Sequence, residues 1–155
     1  MEPDRICQIV DTVIDLSAPS KTALLQDLAR RAAPVVNVDA NFLFNALLQR
    51  EELGSTGVGN GVALPHVRLE QVKNPFAIMV RLKHPTDFDA VDGQPVDLVC
   101  LVLLSKENES AQLNALAGIA RRLRRPELLE ELRQAPNRVV LYNLMTGRTG
   151  QYRSQ

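Results

Sequence analysis

The sequence predicts one α/β domain, and three observations carry that reading. Stretches with apolar residues at helical spacing alternate with two apolar, partly β-branched runs that suit sheet strands. No internal repeat and no Pro/Ser-rich linker divides the chain. Its 155 residues can bury a single core without a metal or disulfide staple, and 45% hydrophobic against 23% charged residues is a globular balance. The expected domain spans residues 1–155, with an ordered core over about 10–147 and a loose polar tail at 148–155.

Each element follows from local signals. Ser20 precedes Lys21 to Ala33, where Leu24, Leu25, Leu28 and Ala32 recur at helical spacing until Pro34 stops the pattern. Asp39 caps a second helix through Glu52, with Leu43, Ala46, Leu47 and Arg50 along one stripe and Gly54 as the C-terminal cap. Its last turn therefore carries Arg50. Ser55 to Gly61 reads Ser-Thr-Gly-Val-Gly-Asn-Gly, too rich in glycine for a regular element, and leads as a tight loop to His66. Phe76 to Leu82 and Val96 to Leu104 read as strands, the second buried on both faces, while Pro85 to Pro95 reads as turns. Asn108 or Ser110 opens a helix through Arg124 with Leu113, Leu116, Ala117, Ala120 and Leu123 as its apolar stripe. Pro126 suits the first position of a helix ending near Ala135, and Val139 to Met145 suggests a last helical stretch.

Bulk charge excludes some functions. Eighteen basic and eighteen acidic residues cancel, so the summed field attracts neither nucleic acid nor an anionic membrane. The cluster Arg121, Arg122, Arg124 and Arg125 is followed at once by Glu127, Glu130 and Glu131, which largely neutralise it. No apolar run approaches the roughly eighteen residues of a membrane span. Cys7 and Cys100 match neither a metal-ligand spacing nor a redox pair. The expected setting is the reduced cytoplasm, with no membrane insertion, no cofactor and no metal.

Two histidines remain as carriers of chemistry. His84, between Lys83 and Pro85, reads as structural or surface. His66 follows Pro65 directly after the glycine loop, whose backbone N–H groups can be aimed at an anion. A neutral imidazole is a nucleophile at physiological pH without a separate base, and phosphoryl transfer asks mainly for positioning and charge stabilisation. Gly57, Gly59 and Gly61 alternate every second residue, which matches neither a dinucleotide fingerprint nor a P-loop. A hydrolase using His66 as a base lacks a recognisable serine or cysteine nucleophile.

The segment from Arg50 through Glu51-Glu52-Leu53-Gly54-Ser55-Thr56-Gly57-Val58-Gly59-Asn60-Gly61-Val62-Ala63-Leu64-Pro65 to His66 resembles the phosphorylation site of a known family. That family is the fructose, mannitol and nitrogen-type IIA proteins of the bacterial phosphotransferase system. Asp87-Phe88-Asp89-Ala90 and Gly93-Gln94-Pro95-Val96-Asp97-Leu98 match it in the same order, so the resemblance spans nearly the whole chain. The absence of an attached carrier domain or membrane segment suggests the free-standing nitrogen-type branch.

The resemblance implies a sandwich of a mixed β-sheet flanked by helices on both faces. It implies a phosphohistidine intermediate at His66, with Arg50 contacting the phosphoryl oxygens. Ser55, Thr56, Gly57, Gly59 and Gly61 would form the phosphate-binding loop. The implied donor is a histidine phosphocarrier protein. Sensor kinases or potassium-transport proteins are the implied regulatory targets, and a homodimer is an open alternative to a monomer.

Two departures mark this chain. Gln112 stands where the family usually has a second histidine, and Val67 where a glycine follows the active histidine. Glutamine can donate an amide N–H but cannot become a cation or shuttle a proton. The alternative reading is therefore a degenerate, non-catalytic regulatory module that has lost efficient phosphoryl transfer.

Overall fold

A computed structural model describes residues 8–147; Cys7 and the expected tail at 148–155 lie outside the described residues. The strands are β1 (Gln8–Leu16), β2 (Gly57–Gly59), β3 (Val62–Ala63), β4 (His66–Leu69), β5 (Phe76–Thr86) and β6 (Val96–Ser105). The helices are α1 (Lys21–Val36), α2 (Ala40–Glu52), α3 (Glu109–Arg122), α4 (Pro126–Gln134) and α5 (Arg138–Thr146).

The strands form one mixed sheet in the order β1-β5-β6-β3-β2. β1 runs parallel to β5, β5 antiparallel to β6, and β2 antiparallel to β3. β3 and β4 both run parallel to β6 on the same edge. Val62 lies opposite Leu98 and His66 opposite Val102, the same offset, so β3 and β4 are one strand interrupted at Leu64 and Pro65 without loss of register. Proline has no N–H for a ladder, which accounts for the break. The carbonyl of Pro65 still accepts from Val102 N at 2.9 Å, holding the chain against β6 on the way to His66.

Period-2 alternation along β6 divides the core. Leu98, Cys100, Val102 and Leu104 face one cluster, with Ile119 of α3, Leu129 of α4 and Leu141 of α5. Val99, Leu101 and Leu103 face the other, with Leu24 and Leu28 of α1 and Leu43 and Leu47 of α2. The sheet is thus flanked by helices on both faces, as expected. A strand between two helical layers has no wet face, which is why β6 reads as a continuous apolar run.

The structure departs from the sequence reading in several places. β1 is not among the elements expected from the sequence; among the described residues it ends the sheet order, paired only with β5, and only Ile9 and Thr12 of its residues are buried. Pro34 does not end α1, which continues to Val36 and closes at Asn37 in the left-handed conformation. Pro34 is exposed there, so the bond it forfeits lies on the water side, where the orphaned carbonyl can be solvated. The apolar stripe expected for α3 is rotated: Gln112, Ala115 and Ile119 are buried, whereas Leu113 is 51% exposed. The cap of α2 is Leu53 rather than Gly54. His84 is exposed near the end of β5, in keeping with a surface histidine.

Leu101 is fully buried at the centre of β6. Leu101→Ala should cost about 3 kcal/mol in urea unfolding, the middle of the range for cavity-forming core truncations.

Candidate active site

The glycine-rich segment is a small hairpin. Asn60 and Gly61 have φ of 57° and 78°, the two positive values that a two-residue type I′ turn requires, and they connect β2 to β3. The Asn-Gly pair was the sequence signal for this turn. Gly57 answers a different demand, since a Cβ there would lie 2.8 Å from Cα of Ala90.

A buried carboxylate anchors the hairpin. Leu43, Leu47 and Glu51 recur four residues apart on the inward face of α2, which makes Glu51 only 8% exposed. Its Oε1 accepts from the Thr56 amide at 3.0 Å and meets Lys21 Nζ at 3.0 Å, while its Oε2 accepts from the Thr56 hydroxyl. Lys21 also lies 4.7 Å from the centroid of Phe88 and 3.7 Å from Asp89. One ion pair thereby joins α1, α2, the hairpin and the segment before β6.

His66 opens β4, half-buried behind buried Pro65. Its Nδ1 lies 2.8 Å from the Leu64 carbonyl oxygen. A carbonyl can only accept, so Nδ1 carries the proton and the Nε2 lone pair is left available. Burial holds the ring's pKa below the ordinary imidazole value of 6.5; the Leu64 bond opposes this, and the nearby positive charge of Arg50 adds to it. The ring is therefore neutral at physiological pH.

The other expected residues divide. Arg50 comes close enough to bear on His66 electrostatically, and its Nη1 donates to the Gly54 carbonyl at 2.9 Å. The Ser55 hydroxyl donates to the Phe88 carbonyl at 2.7 Å and accepts from Gly57 N at 3.0 Å. Asn60 N donates to Asp92 at 3.0 Å. The amides of Thr56, Gly57 and Asn60 are thus committed to three different side chains, those of Glu51, Ser55 and Asp92, and not aimed together at one anion. Gly59 approaches Asp92, and Gly61 packs by Asp97 and Arg133 on the flank of α4.

Gln112 is buried instead of lying exposed on its helix, and its Oε1 accepts from Ser105 N at 2.8 Å. That ties α3 to the end of β6, three residues beyond the partner of His66, or about 10 Å along the strand. Glu51 and Lys21 were missed by the sequence reading. The available signal was a glutamate one position after Arg50 and in phase with Leu43 and Leu47. Among the described residues, no group of three His, Cys, Asp or Glu could hold a metal ion, and no helix is long and apolar enough to cross a membrane.

Comparison with known proteins places the chain in a class. Residues 5–147 match the family model described as "Phosphoenolpyruvate-dependent sugar phosphotransferase system, EIIA 2", and the chain belongs to that family, whose members are phosphotransfer proteins. Within it the chain is similar to nitrogen regulatory proteins. That of Bradyrhizobium diazoefficiens is 42% identical over 130 residues, covering 84% of this chain and 85% of the relative. That of Pseudomonas aeruginosa is 37% identical over 135 residues, covering 86% and 88%. The crystal structure of nitrogen regulatory protein IIA-Ntr from Neisseria meningitidis superposes with a TM-score of 0.84 at 30% identity, over 87% of this chain and 92% of that one. The IIA mannitol structure from Escherichia coli, at 16% identity and a TM-score of 0.72 over 86% and 94%, shares the fold.

Glu51→Ala leaves Lys21 and the Thr56 amide without their buried partner and should cost about 3–5 kcal/mol in urea unfolding. A second expectation concerns pH. Folding depresses the pKa of His66, so below the ordinary imidazole value the unfolded chain takes up its proton first. Stability at this group should be complete above pH 6.5 and decline on acidification until the folded ring also titrates. Melting temperatures measured across that window should fall less steeply for His66→Asn.

Proposed function

We propose that His66 accepts a phosphoryl group from a histidine phosphocarrier protein. On this reading the chain acts in the cytoplasm as a regulatory component of a nitrogen-type phosphotransferase system. The observation that carries it is the Nδ1 bond to Leu64, which fixes the tautomer and presents Nε2 as the nucleophile. The Nε2 lone pair attacks phosphorus as the P–N bond of the donor phosphohistidine breaks, and the donor ring keeps the released electron pair. One P–N bond forms for one lost. The Nδ1 proton stays on Leu64's side of the ring throughout, where the carbonyl stabilises the positive charge that develops.

Arg50 supplies the counter-charge. It sits in the last turn of α2, and its guanidinium has donors beyond the one held by Gly54, suited to the equatorial oxygens of the transferring group. Thr56 supports the site by holding the hairpin to Glu51. A phosphoryl group adds nearly two negative charges at the surface, enough to switch the binding of regulated partners such as sensor kinases or potassium-transport proteins.

One observation favours the second reading, a module that has lost efficient transfer. Gln112 uses its carbonyl end on Ser105, so only its amide Nε2 can serve a phosphoryl oxygen, and it brings no positive charge. A large rise in transfer rate from near zero in Gln112→His would support that reading; an unchanged rate would count against it.

Incubation with a phosphorylated histidine phosphocarrier should give an acid-labile, base-stable adduct that His66→Ala abolishes. Arg50→Ala should slow its formation about 10²-fold, the scale for loss of one charge-stabilising donor. The rate should fall on acidification with a midpoint below the ordinary imidazole pKa, since only the neutral ring attacks. An adduct that survives in His66→Ala would overturn the assignment.

A further inference from the structure

Next to the site, α2 and β4 border an open cleft of about 470 Å³. Its charge is one-sided. Arg50, Arg68 and Lys106 line it together with the amides of Asn45 and Gln49, and no carboxylate does. The chain as a whole is electroneutral, so three cations without an acid is a local segregation. The remaining wall is apolar, and two of its members are conspicuously uncovered: Phe42 is 47% and Leu53 is 85% exposed. Neither side chain contributes much to the core from there, whereas either would gain by contact with an apolar group.

The two guanidinium groups are held in advance. Arg68 Nε donates to the Ser105 carbonyl at 3.2 Å and its Nη2 to the Lys106 carbonyl at 3.0 Å. Arg50 is held likewise by Gly54. Each guanidinium has five N–H groups, so donors remain after these bonds, and the side-chain entropy of placing them is already lost on folding.

We infer that this cleft binds a small organic anion, a phosphate ester or carboxylate on a compact apolar body. The charged end meets Arg50, Arg68 and Lys106; the body lies against Phe42, Leu53 and Val67. The volume falls within the roughly 300–1,000 Å³ of small-molecule sites. Arg50 belongs both to the cleft and to the surroundings of His66. Given the acceptor reading above, on which this coupling rests, an anion in the cleft draws on donors that a phosphoryl group at His66 also needs. Each then weakens the other by the same factor, and occupancy of the cleft restrains phosphoryl transfer.

The test titrates phenyl phosphate into the ¹⁵N-labelled full chain, with inorganic phosphate and benzylamine as controls. Saturable shifts are expected at the amides of Arg50, Val67 and Lys106, with benzylamine inert and inorganic phosphate weaker. Lys106→Glu should weaken binding at least about tenfold, and Arg68→Ala, which also frees two carbonyls, should do the same where its spectrum stays folded. The absence of saturable shifts, or an affinity unchanged in Lys106→Glu, overturns the site. Equal binding of benzylamine or of inorganic phosphate overturns the ligand class. With phenyl phosphate bound, labelling by the phosphorylated carrier should slow about tenfold; unslowed labelling overturns the coupling. Failure of the ligand-free protein to be labelled at all would fault the acceptor reading instead and leave the binding result standing.

Discussion

The Glu51 carboxylate is the group on which the geometry of the site depends. It lies on the buried face of α2, directly after Arg50, and it takes the amide and hydroxyl of Thr56 and the ammonium of Lys21. Burying a carboxylate is unfavourable unless its charge and lone pairs are matched, and here Lys21 of α1 and the amide and hydroxyl of Thr56 match them. The network is thus satisfied only when α1, α2 and the hairpin are assembled together. Assembly of the fold and placement of Arg50 are one event.

The second constraint is the interrupted strand. β3 and β4 keep a single register along β6 across Leu64 and Pro65, and the carbonyl left unpaired at Leu64 is the one that meets Nδ1 of His66. Along this strand the carbonyls of Gly61 and Pro65 accept from β6, so that of Leu64 faces the other way. It thereby supplies the acceptor that sets the tautomer, while burial lowers the ring's pKa. The Leu64 bond favours the protonated ring and burial opposes it; burial is the larger effect, so Nε2 is left unprotonated within reach of the Arg50 charge.

Position 112 joins a helix to the sheet through a buried polar side chain. The glutamine at the start of α3 attaches that helix to the sheet, because its carbonyl end satisfies the Ser105 amide where β6 finishes. Leu113, expected in the core, is turned outward by the same rotation of the helix. Periodicity alone could not choose between the two faces, since Leu113, Leu116 and Ala120 make as good an apolar stripe as Ala115, Ile119 and Leu123.

The sequence by itself determined the layered α/β class, the two long strands, all five helices within a few residues, and the candidate pair His66 and Arg50. These are properties of local pattern: spacing, caps and one long motif. Tertiary structure decided the rest. β1 is nine residues long, but its apolar residues Ile9, Val10, Val13, Ile14 and Leu16 do not alternate, and the two- to four-residue strands β2, β3 and β4 are too short for a periodic signal; β1 forms against β5, β3 and β4 against β6, and β2 against β3. Glu51 and Gln112 looked like surface residues because polar side chains usually are. Only the packing of α2 on α1 and of α3 on β6 put them inside, where each had to find its hydrogen-bond partners far along the chain or across elements.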